Sequence, residues 1–285
     1  MGGFKNYFVI VIMLITMLAA IDCQAVDPFE NNVGLLSQPN ELYLCVYPTF
    51  YSASKLKDSS GNTVTNDLGA RVYQSTLRLS YYNQSLFGNA LTLGAVLPVG
   101  RTELLGSSDA GIGDAMFVVG YWLVDDKASG TYIAAGSYLG VPTGSYNSNR
   151  IANMGQNVWQ IMPTVVAAKQ IDKLDMELTF KYDMYTENKA TGTRNGNAAI
   201  VESYTGYFVR QDMLLGAHLN ANFGADSYVN GIRITNTSAH IFQAGPSIMW
   251  VSGKFSALLV GLGDFAARNA AQGVTIYARL GYKLF

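Results

Sequence analysis

A two-residue hydrophobic period recurs along this chain and is interrupted each time by turn residues. Leu174, Met176, Leu178, Phe180, Tyr182 and Met184 fall on one face of a segment whose other face carries Asp175, Glu177, Thr179, Lys181, Asp183 and Tyr185. Wound as a helix, this pattern would spread charge around every side. Extended as a strand, it gives one face suited to lipid and one suited to water. The C-terminal segment repeats the device: Val274, Ile276, Ala278, Leu280, Tyr282 and Leu284 alternate with Thr275, Tyr277, Arg279, Gly281 and Lys283.

Twelve such segments are expected, at about 40–54, 69–83, 89–100, 112–125, 131–142, 156–169, 174–186, 200–211, 213–224, 238–251, 254–264 and 273–285. Their connections alternate between tight and long. Those near 84–88, 126–130, 170–173, 212 and 252–253 are tight. Those near 55–68, 101–111, 143–155, 187–199, 225–237 and 265–272 are longer and rich in Gly, Asn, Ser and Thr. The pattern predicts an all-β fold, a transmembrane antiparallel up-and-down β-barrel of about twelve strands. Short periplasmic turns and longer external loops would join them, with both ends periplasmic. The competing fold is a secreted β-sandwich, which rarely needs strands this long. Tyr43, Tyr47, Tyr51, Tyr121, Trp122, Tyr182, Tyr185, Trp250 and Tyr282 lie near predicted strand ends, where aromatic rings suit the membrane interfaces.

Composition narrows the function classes. Only 14% of residues are charged although 49% are hydrophobic, against about 25% charged in ordinary soluble domains. Nineteen basic residues face twenty acidic ones, which lacks the basic excess of a nucleic-acid partner. Two cysteines in 285 residues exclude a disulfide scaffold. The longest apolar run, Phe8 to Ile21, follows Lys5 and precedes Asp22-Cys23-Gln24-Ala25. It is shorter than the roughly 20 residues a spanning helix needs and has the form of a secretory signal peptide cleaved after Ala25. Lipidation at Cys23 is the alternative, and Ile21 and Asp22 suit it badly. The expected organisation is a signal peptide at 1–25, a periplasmic or plugging segment at 26–39, and a barrel at 40–285 in the outer membrane of a Gram-negative bacterium.

Strand parity aims a polar set inward: Gln74, Thr76, Arg78, Ser80, Glu177, Lys181, Glu202, Arg210, His218, Asn220 and Arg279. Of these, Arg78, Glu177, Lys181, Glu202, His218 and Arg279 are the principal lumen-lining candidates. Intramembrane ionisable groups mark pathways, or else they form lumenal salt bridges that stiffen a filled barrel. Met116, Val118, Met162 and Val166 share the inward parity, so the lining is mixed. Enzymatic work is not expected. His218 and His240 are the only histidines, no nucleophile motif surrounds Ser238 or Ser247, and no metal-ligand spacing or nucleotide loop is present. No cofactor is implied.

One block of motifs carries a family resemblance. Gly111-Ile112-Gly113-Asp114 opens a strand ending Gly120-Tyr121-Trp122-Leu123. Leu139-Gly140-Val141-Pro142-Thr143-Gly144-Ser145-Tyr146 follows, then Asn153-Met154-Gly155-Gln156-Asn157-Val158-Trp159, with Pro163 in the next strand. Leu97-Pro98-Val99-Gly100 fits the same scheme. The block resembles the outer-membrane "meta-pathway of phenol degradation" transporter family. The resemblance implies a monomeric barrel of about twelve strands, implicated in uptake of hydrophobic or aromatic small molecules. It implies as partners the outer-membrane bilayer, those small molecules and the barrel-assembly machinery. The external-rim candidates are Gly111, Gly113, Asp114, Pro142, Thr143, Gly144, Tyr146, Asn157 and Trp159.

Three local expectations follow. Asp114 should sit at the external rim facing inward, or act as a turn or cap residue. Pro163 should force a bulge. Phe285 is a terminal aromatic whose parity is shared by Lys283, Gly281 and Arg279 rather than by Leu284 and Tyr282, which leaves the facing of the last strand open. The functional expectation is a passive channel for hydrophobic or aromatic small molecules. A structural or surface-interaction barrel with a closed lumen is the alternative.

Overall fold

The computed structural model describes residues 40–86 and 89–285, with side chains left out at 84–86 and 89–90. The expected signal peptide and the 26–39 segment lie outside the described residues. Twelve long strands follow in chain order: β1 (Glu41–Lys57), β2 (Ala70–Leu86), β3 (Asn89–Leu104), β4 (Ala115–Asp126), β5 (Thr131–Val141), β6 (Gln160–Ile171), β7 (Leu174–Tyr185), β8 (Ala198–Arg210), β9 (Met213–Gly224), β10 (His240–Ser252), β11 (Phe255–Arg268) and β12 (Ala271–Lys283). Each pairs antiparallel with its sequence neighbours. β12 pairs with β1 from Tyr43↔Lys283 to Leu56↔Ala271, which closes the barrel. Closure leaves no edge, so backbone hydrogen bonds are satisfied within lipid.

The two-residue period sets the facing. In β6 burial alternates at every step from Gln160 to Ala168, with Met162 and Val166 inside and Ile161 and Val165 outside. On the outer face Leu178, Phe180, Phe117 and Val119 are about half exposed. In water such a belt would drive aggregation; in a bilayer the hydrocarbon is its solvent. In β12, Val274, Ile276, Leu280 and Tyr282 are exposed while Thr275, Arg279 and Gly281 are buried. The facing is therefore the one its alternation predicts. Phe285 lies beyond the strand, exposed, with its carbonyl accepting from Leu42 N.

The described periplasmic connections 127–130, 172–173, 211–212 and 253–254 are tight, and most external ones are long. One expectation fails: β11 continues to Arg268 and β12 begins at Ala271, so they join through residues 269–270 alone. Residues 265–272 hold one Asn and neither Gly nor Ser, so little in them interrupts the ladder. External segments add short strands of their own. Ser107–Ile112 folds back along β3. Thr63–Thr65 pairs with β1. Thr193–Arg194, Tyr228–Val229 and Ile232–Arg233 form a separate three-stranded sheet between two external loops, where the Arg194 guanidinium lies 4.1 Å from the Tyr228 ring centroid.

The expected bulge at Pro163 is absent. Pairing of β6 with β7 lapses at Met162 and Pro163 and resumes at Thr164↔Lys181 in unchanged register. Proline has no N–H to donate, so the ladder loses rungs without inserting a residue. The same lapse accompanies Pro48 between β1 and β12, and Pro246 between β10 and β11.

The aromatic expectation also needs correcting. Tyr182, Trp250 and Tyr282 lie on the outer face. Tyr47, Tyr51, Trp122 and Tyr185 have inward parity and are buried in the lumen. Nearness to a strand end did not decide their side; parity did.

Candidate functional site: the lumen and its external mouth

The lumen lining is mixed, with buried apolar clusters on β3 to β6 and on β9 to β11, the latter made by Leu214, Met249, Leu258, Val260 and Leu262. β3 to β6 present Val96, Val118, Tyr138 and Met162, which join Ile200 of β8 in one buried apolar cluster. Toward the periplasm, Trp122, Tyr82, Tyr132 and Val166 form a second cluster, with Tyr43 packed against it. The Trp122 indole N–H donates to Thr92 Oγ1 at 3.0 Å, satisfying its one polar atom. Side chains from five strands meeting in one cluster narrow the passage at that level.

Charge sits on the strands between these clusters. Lys181 of β7 donates to Glu202 of β8 at 2.6 Å, with the lysine 1% and the glutamate 20% exposed. Glu177 follows on β7, opposite Tyr204. Across the barrel, Arg78 on β2 donates to Ser80 Oγ at 2.8 Å, and Arg279 on β12 points its Nη2 at Met249 Sδ at 3.4 Å. β2 and β12 flank β1, so the two arginines stand on one side and the two glutamates on the strands opposite. His218 Nε2 lies 3.0 Å from Ser247 Oγ, with its ring 4.9 Å from that of Tyr204.

All six principal lumen candidates thus face inward: Arg78, Glu177, Lys181, Glu202, His218 and Arg279. Arg210, also expected inward, does not. The β8–β9 register shifts between Phe208 and Arg210, and Arg210 reaches solvent to pair with Asp212 at 3.1 Å. Its parity ended where the strand entered the periplasmic turn.

The rim motifs knot two external segments. Asp114, just before β4, accepts from Gly144 N on one oxygen and Gln156 N on the other, each at 2.7 Å. Thr143 Oγ1 accepts from Ala115 N at 2.9 Å. Gly144 and Gly155 lie back to back: a Cβ on Gly144 would meet Gly155 Cα at 2.7 Å and the Gly113 carbonyl carbon at 2.7 Å. A Cβ on Gly111 would meet Ser145 Oγ at 2.3 Å. Asn157 adopts a left-handed φ of 58° and donates to Asn188 Oδ1 at 3.1 Å. Pro142 is exposed beside this knot, Tyr146 is half-buried, and Trp159 is exposed on the outer face. Desolvation pushes the Asp114 carboxyl above its ordinary range, against the lowering effect of the N–H groups aimed at it.

Sequence reasoning missed several partners. Asp109 accepts from Arg150 Nη1 at 2.8 Å and from Met154 N at 3.0 Å, a second tie between the same segments. Gln160 Nε2 donates to both Asp183 oxygens at 2.8 Å, and Tyr185 Oη donates to the same carboxylate. Asp183 shares the polar face expected for 174–185, while Gln160 and Tyr138 were not among the residues expected inward. Nothing local marked Asp109, whose partners lie some forty residues away.

A family model described as a putative MetA-pathway of phenol degradation matches residues 53–280. An outer membrane channel from Pseudomonas putida F1 shares 19% identity, with 91% of this chain and 100% of that chain covered, at a TM-score of 0.82. The NanC porin shares 12% identity, with 85% and 100% covered, at a TM-score of 0.49. No protein of curated function matches. The barrel is of the kind found in outer-membrane channels of Gram-negative bacteria. By its sequence from β1 through β12, the chain belongs to the family described as the putative MetA-pathway of phenol degradation.

Proposed function

We propose that this barrel is an outer-membrane channel for passive passage of hydrophobic or aromatic small molecules, acting as a monomer and without chemical turnover. The observation that carries the reading is the lining. Apolar clusters, Val96, Val118, Tyr138 and Met162 on β3 to β6 and Leu214, Met249, Leu258 and Val260 on β9 to β11, alternate around the lumen with strands bearing Arg78, Arg279, Glu177 and Glu202. A water-filled porin lumen is polar throughout. Here an aromatic solute exchanges water for apolar side chains, while the charges beside them orient any polar substituent. Transport is downhill, so the protein supplies only a path of modest affinity.

A second reading has its own support. Tyr138 and Arg279 are at most 1% exposed, as they would be in a filled structural barrel. Flux into proteoliposomes separates the two. A channel for aromatic cargo admits a phenol or benzoate faster than a sugar of equal size, and Tyr138→Ala speeds both. Equal, background-level flux of all solutes through folded protein favours the filled barrel. Truncating residues 26–39 tests whether that segment is a plug: flux rises on its removal if it is.

A further inference from the structure

On the outer wall, at the external ends of β9 to β11, three phenylalanines meet. Phe223 and Phe242 stand edge to face with ring centroids 5.4 Å apart, and Phe242 and Phe265 lie 6.1 Å apart. The His240 ring is 6.2 Å from Phe223. These rings floor a groove of about 550 Å³ whose upper lining includes Lys57 and Arg268 and no carboxylate. Asp58, next to Lys57 in sequence, turns its carboxylate to the backbone N–H groups of Ser60 and Asn62.

The height of this groove identifies what lies beside it. Along the outward face of β10, Trp250 marks the periplasmic edge of the apolar belt and Phe242 lies eight residues higher. At about 3.3 Å per residue and a tilt near 40°, that is roughly 20 Å along the membrane normal, close to the ~25 Å band of such barrels. The phenylalanines therefore lie at acyl-chain depth, and Lys57 and Arg268 stand just above them at headgroup depth.

We propose that this groove is a binding site for the phosphorylated glycolipid of the external leaflet. Lys57 and Arg268 hold a headgroup phosphate, and Phe223, Phe242 and Phe265 carry an acyl chain. Cations set over an apolar floor match this chemistry: charge-assisted bonds to phosphate above and buried hydrocarbon below. The assignment rests on the barrel's place in the outer membrane and is independent of whether the lumen conducts.

The test uses the full chain, extracted from outer membranes in mild detergent, with binding followed by native mass spectrometry. The probes are diphosphoryl lipid A, its dephosphorylated form and phosphatidylglycerol. The double variant Lys57→Gln, Arg268→Gln should bind diphosphoryl lipid A on the order of tenfold more weakly than wild type. Dephosphorylation should weaken wild-type binding comparably. The control Lys173→Gln, Lys254→Gln removes the same charge from periplasmic turns and should bind as wild type. Arg268, Lys173 and Lys254 are exposed and Lys57 is half-buried, and heat-dependent gel mobility reports that each variant is folded. Three outcomes overturn the assignment: undiminished binding by the groove variant, indifference to the phosphate, or phosphatidylglycerol binding as tightly as lipid A.

Discussion

Asp114 shows how a motif residue works through its neighbours. Its two oxygens each take a backbone N–H, one from residue 144 and one from residue 156, and so hold the 142–159 segment over the mouth. In Asp114→Asn only one of the two side-chain atoms accepts; the amide nitrogen opposes an N–H donor. The expected cost is about 1–3 kcal/mol, felt locally, and limited proteolysis should cut near residue 150 sooner than in wild type. Gly144→Ala should do more damage, since its methyl meets backbone on both sides; failure to acquire heat-modifiable mobility is the expected result. The two loop acids differ in pH response. Burial raises the Asp114 pKa, so its linked stability is full at low pH and declines as pH rises through the raised value. Hydrogen bonds, first that from Asn62 N, lower the Asp58 pKa, so its contribution is present above the ordinary carboxylate range and lost as pH falls through the lowered value. Strong acidification should therefore free the amide protons of Ser60 and Asn62, as hydrogen exchange would report. The motif's presence was legible in the sequence. Its mechanism was not, because the donors are backbone groups and carry no residue identity.

The strands were the most legible elements. Lipid on one side and a packed lumen on the other make the two-residue period a physical requirement, so Leu174 to Tyr185 announced both faces of β7. Legibility failed where the membrane stops imposing that requirement. Arg210 changed side at a turn, and the alternation lapses at Phe265 and Ala266, where the register shifts, although the ladder of β11 and β12 continues to Arg268 and Ala271. Aromatics near strand ends were equally ambiguous, because a lumen accepts Tyr47 as readily as an interface accepts Tyr282. Proline punctuates the wall in a regular way. Pro163 removes rungs between β6 and β7 without moving the register. Restoring an N–H with Pro163→Ala should add roughly 1 kcal/mol to barrel stability, read as a higher urea midpoint for unfolding from detergent. A fall in the midpoint would mean that the pyrrolidine ring contributes more to packing than it costs in pairing.

At the scale of the whole molecule, a closed wall and an apolar outer belt make an outer-membrane barrel, and its mixed lumen is what the proposed passage would use. The lumen's apolar cluster and its charged side are close enough together that widening either should change what passes. Tyr138→Ala removes the largest side chain of the mid-lumen cluster and should raise conductance. Lys181→Met leaves Glu202 without its 2.6 Å partner and should shift ion preference toward cations. Both effects presuppose a path through the lumen, and one experiment addresses that path directly: single-channel conductance of the folded protein in a planar bilayer, with and without small aromatic solutes. The account predicts small, steady conductance that aromatics block reversibly and that Tyr138→Ala enlarges. Silence from folded wild type and folded Tyr138→Ala alike would contradict it and leave a filled barrel whose function lies on its outer surface.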